Sequence, residues 1–315
     1  MLRCDNNIVE PEFLLYFFKS NFLINYGVSH FTGTAGQQRV STQVLKDCLF
    51  PLPPLAEQRR IVARLKEILP LIDKYDEYYT KLVTEEKTFP ERLKKSILQQ
   101  AIQGKLVPQF DEESSVDQIG DIPAETPFEI PEKWRWIRLG NIVSKKIKRG
   151  KTPRYVDKSN TLVFAQKCNT KQNGIDMSLA LFLDEEKLNK YPVEEFLQDK
   201  DIVINSTGRG TMGRVGFFLD PEDKFKNKIV PDSHVTVIRV NKIFNADYVY
   251  FYLKSRQPFL ESQGDGSTNQ TELKPDVINA LEVPVPPLFE QHRIVTRLNE
   301  LFALVDKMTG VEEKE

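Results

Sequence analysis

The chain has 315 residues, of which 28% are charged and 40% hydrophobic, the balance of a soluble globular protein with room for two domains. Its net charge of −1 does not by itself indicate a polyanionic partner, and no apolar run of about 18 residues indicates a membrane span. The first residues lack the order of a signal peptide, and three widely separated cysteines lack metal-ligand spacing. These features favour a cytoplasmic protein without a metal site.

An internal repeat organises the chain. Residues 51–65 recur as residues 284–298, an offset of 233 with 11 of 15 positions identical. The similarity extends in both directions, and with a two-residue slip YFFKS (16–20) aligns with FYLKS (251–255). The period is far too long for a solenoid. We therefore interpret the repeat as two copies of a domain end followed by a helix.

Residues 1–54 are predicted to be the end of a first domain, and residues 55–107 a helical region. Apolar residues recur there at three- and four-residue steps, which predicts an amphipathic helix. Gly104 is a predicted C-cap, whereas Pro70 and Pro90 predict kinks or a break. A straight helix over 56–104 would be roughly 70 Å long at about 1.5 Å per residue. Such a rod needs a partner helix.

Residues 108–130 are acidic and proline-bearing, which is typical of a linker. A mixed α/β (α+β) domain is predicted for residues 131–287, and a short second helix for residues 288–315. The predicted strands are rich in β-branched and aromatic residues and cover 161–166, 201–206, 214–220 and 234–240. Helical segments are predicted near 184–198 and 245–260.

Seven segments carry a family resemblance. They are PLPPLAEQRRIV (51–62), FPERLKKSILQQAIQGKLVPQ (89–109) with IPEKWRWIRLGNI (130–142), GKTP (150–153), DIVINSTGRGTMGRVGFF (201–218), SHVTVIRV (233–240) and STNQTELKPDVINALEVPVPPLFEQHRIV (267–295). Together they resemble the specificity subunits of type I restriction–modification systems. The resemblance covers most of the chain from residue 33 onward.

The resemblance implies two target-recognition domains, each reading half of a bipartite site in double-stranded DNA. Two long conserved helices, packed as an antiparallel coiled-coil-like pair, would set their spacing. The helices would also dock methyltransferase (M) subunits, which methylate adenine with S-adenosylmethionine. A restriction/translocase (R) subunit using ATP and Mg²⁺ would join them. The chain itself is then expected to be non-catalytic and to bind no cofactor.

On that basis residues 1–54 are a C-terminal remnant of the first target-recognition domain. Residues 55–107 are the central conserved helical region, 131–287 the second target-recognition domain, and 288–315 a short distal conserved helix. The chain is then expected to read one half-site on its own.

A cationic stretch is the first DNA-binding candidate, because clustered cations neutralise phosphates and a glycine turn allows close backbone approach. Its candidate residues are Lys145, Lys146, Lys148, Arg149, Lys151, Thr152 and Arg154. The alternative is a solvated basic loop.

A glycine-spaced polar turn is the second candidate, because arginine pairs with guanine and asparagine with adenine in the major groove. Its candidate residues are Asn205, Ser206, Arg209, Thr211 and Arg214, and the repeat adds Asn269 and Gln270. The alternative is a hairpin whose polar side chains cap the backbone. GRGTMG (208–213) fits a dinucleotide-binding pattern, but the β-like residues after it predict a loop between two strands.

Matching polar residues open the two predicted helices, which indicates a shared partner surface, either the partner helix or an M subunit. They are Glu57, Gln58, Arg59, Arg60 and Arg64, with Glu290, Gln291, His292, Arg293 and Arg297. Ordinary helix capping explains part of this pattern. The sequence contains no GxxxxGK[ST], HExxH or GxSxG motif, nor the Asn/Asp-Pro-Pro-aromatic motif of adenine methyltransferases.

Three interpretations of the short first domain remain open. The chain could be a truncated specificity subunit, a silent cassette acting at most as a helical interaction module, or one half of a homodimer that rebuilds the symmetric arrangement. A stand-alone nuclease is disfavoured because no acidic–lysine metal cluster is evident.

Overall fold

The computed structural model describes residues 4–34, 36–123, 126–171, 174–226, 228–264 and 272–308. The chain divides into two compact units, residues 1–87 and 88–315. Helices make up the regular structure described in the first unit, and helices and short strands that of the second. The predicted mixed α/β class is therefore confirmed.

Where it is described, the first unit contains three short helices and the start of a long one: α1 (Pro11–Phe18), α2 (Asn21–Ser29), α3 (Thr42–Asp47) and α4 (Leu55–Ile102). Ser20 and Ser41 cap α2 and α3 by accepting backbone N–H bonds, as serine commonly does at a helix start. The helix α4 continues through Pro70 and Pro90, so the alternative of a broken helix is wrong. Each proline removes one intrahelical hydrogen bond, and the other bonds of a 48-residue helix maintain it.

The C-terminal end of α4 lies in the second unit and has the predicted glycine cap. Gly104 adopts a φ of +70°, its N–H donates to Ala101 O at 3.1 Å, and the next N–H donates to Gln100 O at 2.9 Å. A Cβ on Gly104 would also overlap the Pro131 ring and approach Trp134. A glycine is therefore required here both for the turn and for the close approach.

Ten short strands lie in the described residues of the second unit. They are β1 (Arg135–Arg138), β2 (Lys148–Arg149), β3 (Tyr155–Val156), β4 (Leu162–Phe164), β5 (Leu181–Leu183), β6 (Ile202–Asn205), β7 (Val215–Phe217), β8 (Ile229–Pro231), β9 (Val235–Ile238) and β10 (Glu282–Val285). They form a β1-β10 pair and two four-stranded sheets, β2-β9-β6-β7 and β3-β5-β4-β8. All described pairings are antiparallel except β4 with β8.

In the same described residues, four helices follow α4: α5 (Ala246–Ser255), α6 (Gln257–Ser262), α7 (Pro275–Asn279) and α8 (Leu288–Met308). The four predicted strands correspond to β4, β6, β7 and β9, and the predicted helix near 245–260 is α5 followed by α6. The segment near 184–198 forms only 3₁₀ turns. Pro284 lies within β10. Only β1 pairs with β10 among the described strands, a position where proline is tolerated.

The largest hydrophobic core packs the C-terminal end of α4 and the helix α8 against the strands of the second unit. Leu98, Ala101 and Ile102 of α4 share a buried cluster with Ile294 and Leu298 of α8. Lys94 bonds Asp306 at 2.5 Å, whereas Arg293 bonds Glu113, beyond the end of α4. The second-unit end of α4 and α8 therefore run antiparallel, as predicted. No helix in the described ranges is both long and apolar enough to cross a bilayer.

Candidate nucleic-acid interface

The loop between β6 and β7 presents one cation at its tip. Arg209 is exposed between Gly208 and Gly210, which have φ values of +96° and +75°. A Cβ on Gly208 would lie 2.4 Å from Thr211 Oγ1, so the tight turn requires glycine there. Within the described part of the chain, the Arg209 guanidinium makes no ion pair.

Buried hydrogen bonds fix the base of this loop. Arg214 Nη1 donates to Asn169 O at 2.7 Å, and Asn169 Nδ2 donates to Asn205 Oδ1 at 3.2 Å. Asn205 Nδ2 in turn donates to Gln166 O at 3.1 Å, and Ser206 shares a 2.6 Å bond with Thr236. Asn205 and Ser206 are fully buried, so their side chains support the hairpin rather than face solvent. Thr211 similarly bonds the loop backbone at Thr207 and Gly208.

Two neighbouring segments extend the surface around Arg209. Thr207 Oγ1 lies 2.7 Å from His234 Nδ1 and 3.5 Å from Gln166 Oε1. His234 is exposed just before β9. Its backbone N–H donates to the Asp232 carboxylate at 2.8 Å. Burial raises the pKa of Asp232. We call Gln166, Thr207, Arg209 and His234 the loop surface.

Sequence reasoning missed three of these four residues. Gln166 and His234 each stand at the end of a predicted strand, and Thr207 directly follows another. Binding residues are often found on loops where strands begin or end, so a position next to a predicted strand was the signal that could have identified these three residues. The exposed Arg209 guanidinium and His234 imidazole, and the half-buried Gln166 amide and Thr207 hydroxyl, can donate to or accept from base edges and phosphates.

Most of the predicted cationic stretch is engaged within the protein. Lys145 is 8% exposed and pairs with Glu195, which is 3% exposed and also binds Lys148. Burial lowers the pKa of Lys145. Burial works to raise the pKa of Glu195, but the hydrogen bond from Lys148 and both lysine charges hold it below its usual value.

The remaining cations of the stretch differ in their exposure. Arg154 pairs with Asp184 at 3.4 Å, and Lys151 lies over the Tyr191 ring at 5.5 Å. Lys146 and Thr152 are exposed. Arg149 pairs with Glu272, which forms a β-bridge with Thr207, so this end of the stretch borders the loop surface. The predicted Asn269 and Gln270 lie outside the described residues.

Adjacent lysines are expected to behave differently when truncated. Lys145→Ala removes a partner of the buried Glu195 and should destabilise the chain by about 1–3 kcal/mol. Lys146→Ala, at an exposed position, should change stability by less than about 0.5 kcal/mol. Urea unfolding measures both. Equal stability of the two variants would contradict a structural role for Lys145.

The polar residues that open the two helices also make internal contacts. Gln58 and Gln291 are buried, and their side chains donate to the backbone at Pro53 and Pro286. Glu290 accepts a hydrogen bond from Trp134 Nε1 at 3.0 Å. The remaining contacts join Arg59 to Glu10, Arg64 to Glu67, His292 to Asn245, Arg293 to Glu113 and Arg297 to Glu300. Glu57 and Arg60 are exposed. A partner-subunit contact stays a prediction for this group.

Comparison with known proteins defines the class of this chain. Residues 2–74 and 131–314 match the model of the type I restriction modification DNA specificity domain, and the chain belongs to that family. The type I restriction enzyme EcoAI specificity subunit of Escherichia coli is 25% identical over 96% of this chain. The MjaVIII specificity subunit of Methanocaldococcus jannaschii is 24% identical over 100% of it. The chain spans 61% of the length of the EcoAI subunit and 68% of the MjaVIII subunit.

Solved structures share the fold. The HsdS subunit of Thermoanaerobacter tengcongensis aligns with a TM-score of 0.52 and 21% identity, over 99% of this chain and 68% of that one. A chain from a structure on complex assembly and conformational transition of the type I R-M system aligns with a TM-score of 0.57 and 20% identity. That alignment covers 98% of this chain and 67% of that one.

Proposed function

We propose that the chain recognises a DNA sequence through the loop surface of its second unit, as a specificity subunit of a type I restriction–modification complex. The observation that carries this proposal is the braced loop that holds Arg209 in solvent beside Gln166, Thr207 and His234. Fixed polar groups at a strand edge suit base readout, because the loop needs little reordering on binding. Arg149, whose partner Glu272 forms a β-bridge with Thr207, would add a phosphate contact beside this surface.

Catalysis is assigned to partners in this proposal. M subunits would methylate adenine with S-adenosylmethionine, and an R subunit would use ATP and Mg²⁺, while this chain binds no cofactor. The middle of α4 supports a docking role, because it exposes the aromatic side chains of Tyr75, Tyr78 and Tyr79. Exposed apolar patches of this kind mark protein–protein contact sites.

Mapping of N6-methyladenine in the host genome tests the proposed function. The map is compared between cells with the gene intact, with the gene deleted, and with an Arg209→Ala allele. We expect one methylated motif to disappear on deletion and to be lost or changed with Arg209→Ala. An unchanged map after deletion, with the protein shown to be expressed beforehand, would contradict the proposal and favour a helical interaction module.

A further inference from the structure

A buried carboxylate underlies the loop surface. Asp232 is 2% exposed and lies in the turn between β8 and β9. Its Oδ1 accepts the backbone N–H of His234 at 2.8 Å, the bond to a residue two positions on that aspartate often makes in turns. The backbone N–H of Gln166, in the segment after β4, also stabilises this carboxylate. One buried side chain therefore holds the backbone of two loop-surface residues that are far apart in the sequence.

The side chains of the same two residues meet at Thr207. Its Oγ1 lies 2.7 Å from His234 Nδ1 and donates to Gln166 Oε1 at 3.5 Å. Asp232 through backbone N–H groups, and Thr207 through side chains, thus close a ring of contacts around Gln166 and His234. We call these four residues the polar ring. Arg209 follows Thr207 by two positions, so the ring also supports the loop that carries the exposed guanidinium.

The turn that carries the carboxylate is itself fixed by its neighbours. The Asp232 N–H donates to Phe164 O at 3.1 Å, and the Gly150 N–H donates to Val235 O at 2.9 Å. A Cβ on Gly150 would overlap the backbone oxygens of Pro231 and Asp232, so only glycine allows this close approach. The carboxylate is consequently a fixed point to which the polar ring is attached.

The choice of aspartate at this position has an energetic cost. Burial raises the pKa of Asp232, and the His234 and Gln166 N–H groups oppose that rise. No cation among the described residues forms an ion pair with Asp232. An asparagine would avoid burying a charge, but its amide has one acceptor oxygen and presents a donor in place of the second. The two N–H groups to be held account for the carboxylate.

We propose that Asp232 is a positioning residue for DNA recognition, which holds Gln166 and His234 in place so that both side chains meet base edges without reordering. Asp232 touches no DNA in this arrangement and acts through its two backbone contacts. The inference rests on the proposed function and deepens it. Its physical basis is that a side chain ordered before binding does not have to be ordered during binding, which preserves affinity.

A second buried aspartate provides a matched control. Asp220 is 7% exposed and accepts the backbone N–H groups of Lys224 and Phe225, each at 2.9 Å. It follows β7, and its own N–H donates to the Asp199 carboxylate before β6, whereas the loop surface follows the other end of β6. Asp220 therefore makes the same kind of contact away from the loop surface.

Binding of the intact chain to two duplexes tests the proposal, one enriched by in vitro selection and one of unrelated sequence and equal length. Asp232→Asn should weaken binding to the selected duplex about tenfold, the effect of having to order two side chains on binding. Binding to the unrelated duplex should change by less than about twofold. Asp220→Asn should leave the ratio of the two affinities unchanged. If Asp232→Asn does not fold, Asp232→Ser replaces it with the same expectation.

Two further readouts separate positioning from a general structural role. Amide hydrogen exchange at Gln166 and His234 should become faster in Asp232→Asn. In a double-mutant cycle, Asp232→Asn combined with His234→Ala should lose less affinity for the selected duplex than the product of the two single losses. The reason is that Asp232 acts in part through His234, so removal of the imidazole removes part of its effect.

Different results would overturn the inference and the proposed function. Unchanged discrimination in Asp232→Asn, equal weakening of both duplexes, or fully multiplicative losses in the cycle would each refute the positioning role alone. Rapid exchange of the Gln166 and His234 amides in the unaltered protein would refute it as well. Selection that enriches no sequence would instead refute the proposed function.

Discussion

Arg209→Ala is expected to lower the affinity for the recognised duplex by about 5- to 150-fold, which corresponds to about 1–3 kcal/mol for a lost bidentate contact to a base. The exposed Arg209 side chain has no structural partner among the described residues, so thermal stability should stay unchanged. Fluorescence anisotropy measures the affinity, with a duplex enriched by in vitro selection on the intact chain.

Arg209→Lys is the matched control, since it keeps the charge and removes the planar fork. We expect this variant to retain binding to unrelated duplexes and to lose discrimination against them. Full discrimination by Arg209→Lys would show that Arg209 contacts phosphate only. Unchanged affinity of Arg209→Ala would remove the loop tip from the interface.

Arg239→Met is expected to destabilise the chain by about 3–5 kcal/mol, because it leaves the buried Asp201 carboxylate without its cation. Arg239 bonds Asp201 through Nε at 2.8 Å and Nη2 at 2.7 Å, and the Asp201 side chain is 1% exposed. Urea unfolding at neutral pH measures the loss. The variant Asp201→Asn in the Arg239→Met background should recover part of it.

The same variant should show a defined pH dependence. Burial raises the pKa of Asp201 even with Arg239 present. A carboxyl whose pKa is higher in the folded than in the unfolded protein destabilises the fold as pH rises through the interval between the two values. The loss of stability in Arg239→Met should therefore shrink as the pH is lowered toward the pKa of an aspartate in the unfolded chain. A deficit independent of pH would mean that lost packing, not charge, causes it.

Local sequence patterns predicted much of the fold. The three- and four-residue apolar steps located α4, and the duplicated block located the start of α8 at the same offset. Gly104 marked the end of α4, and β-branched runs marked β4, β6, β7 and β9. The glycine spacing also identified the loop that carries Arg209. Short strands such as β2 and β3 were missed, since two residues carry no periodicity.

The tertiary structure decided which polar residues are available to a partner. The cations of 145–154 form one run in sequence, yet Lys145 is buried against Glu195, whereas Lys146 is exposed. His234, just before β9, and Gln166, after β4 of the other sheet, join the Arg209 loop only because folding brings both to Thr207, which follows β6. The sequence by itself determined the family, the repeat, the long helix and the glycine loop, because those signals depend on neighbouring residues. Ion pairing and burial depend on residues far apart in the chain, and only folding brings those together.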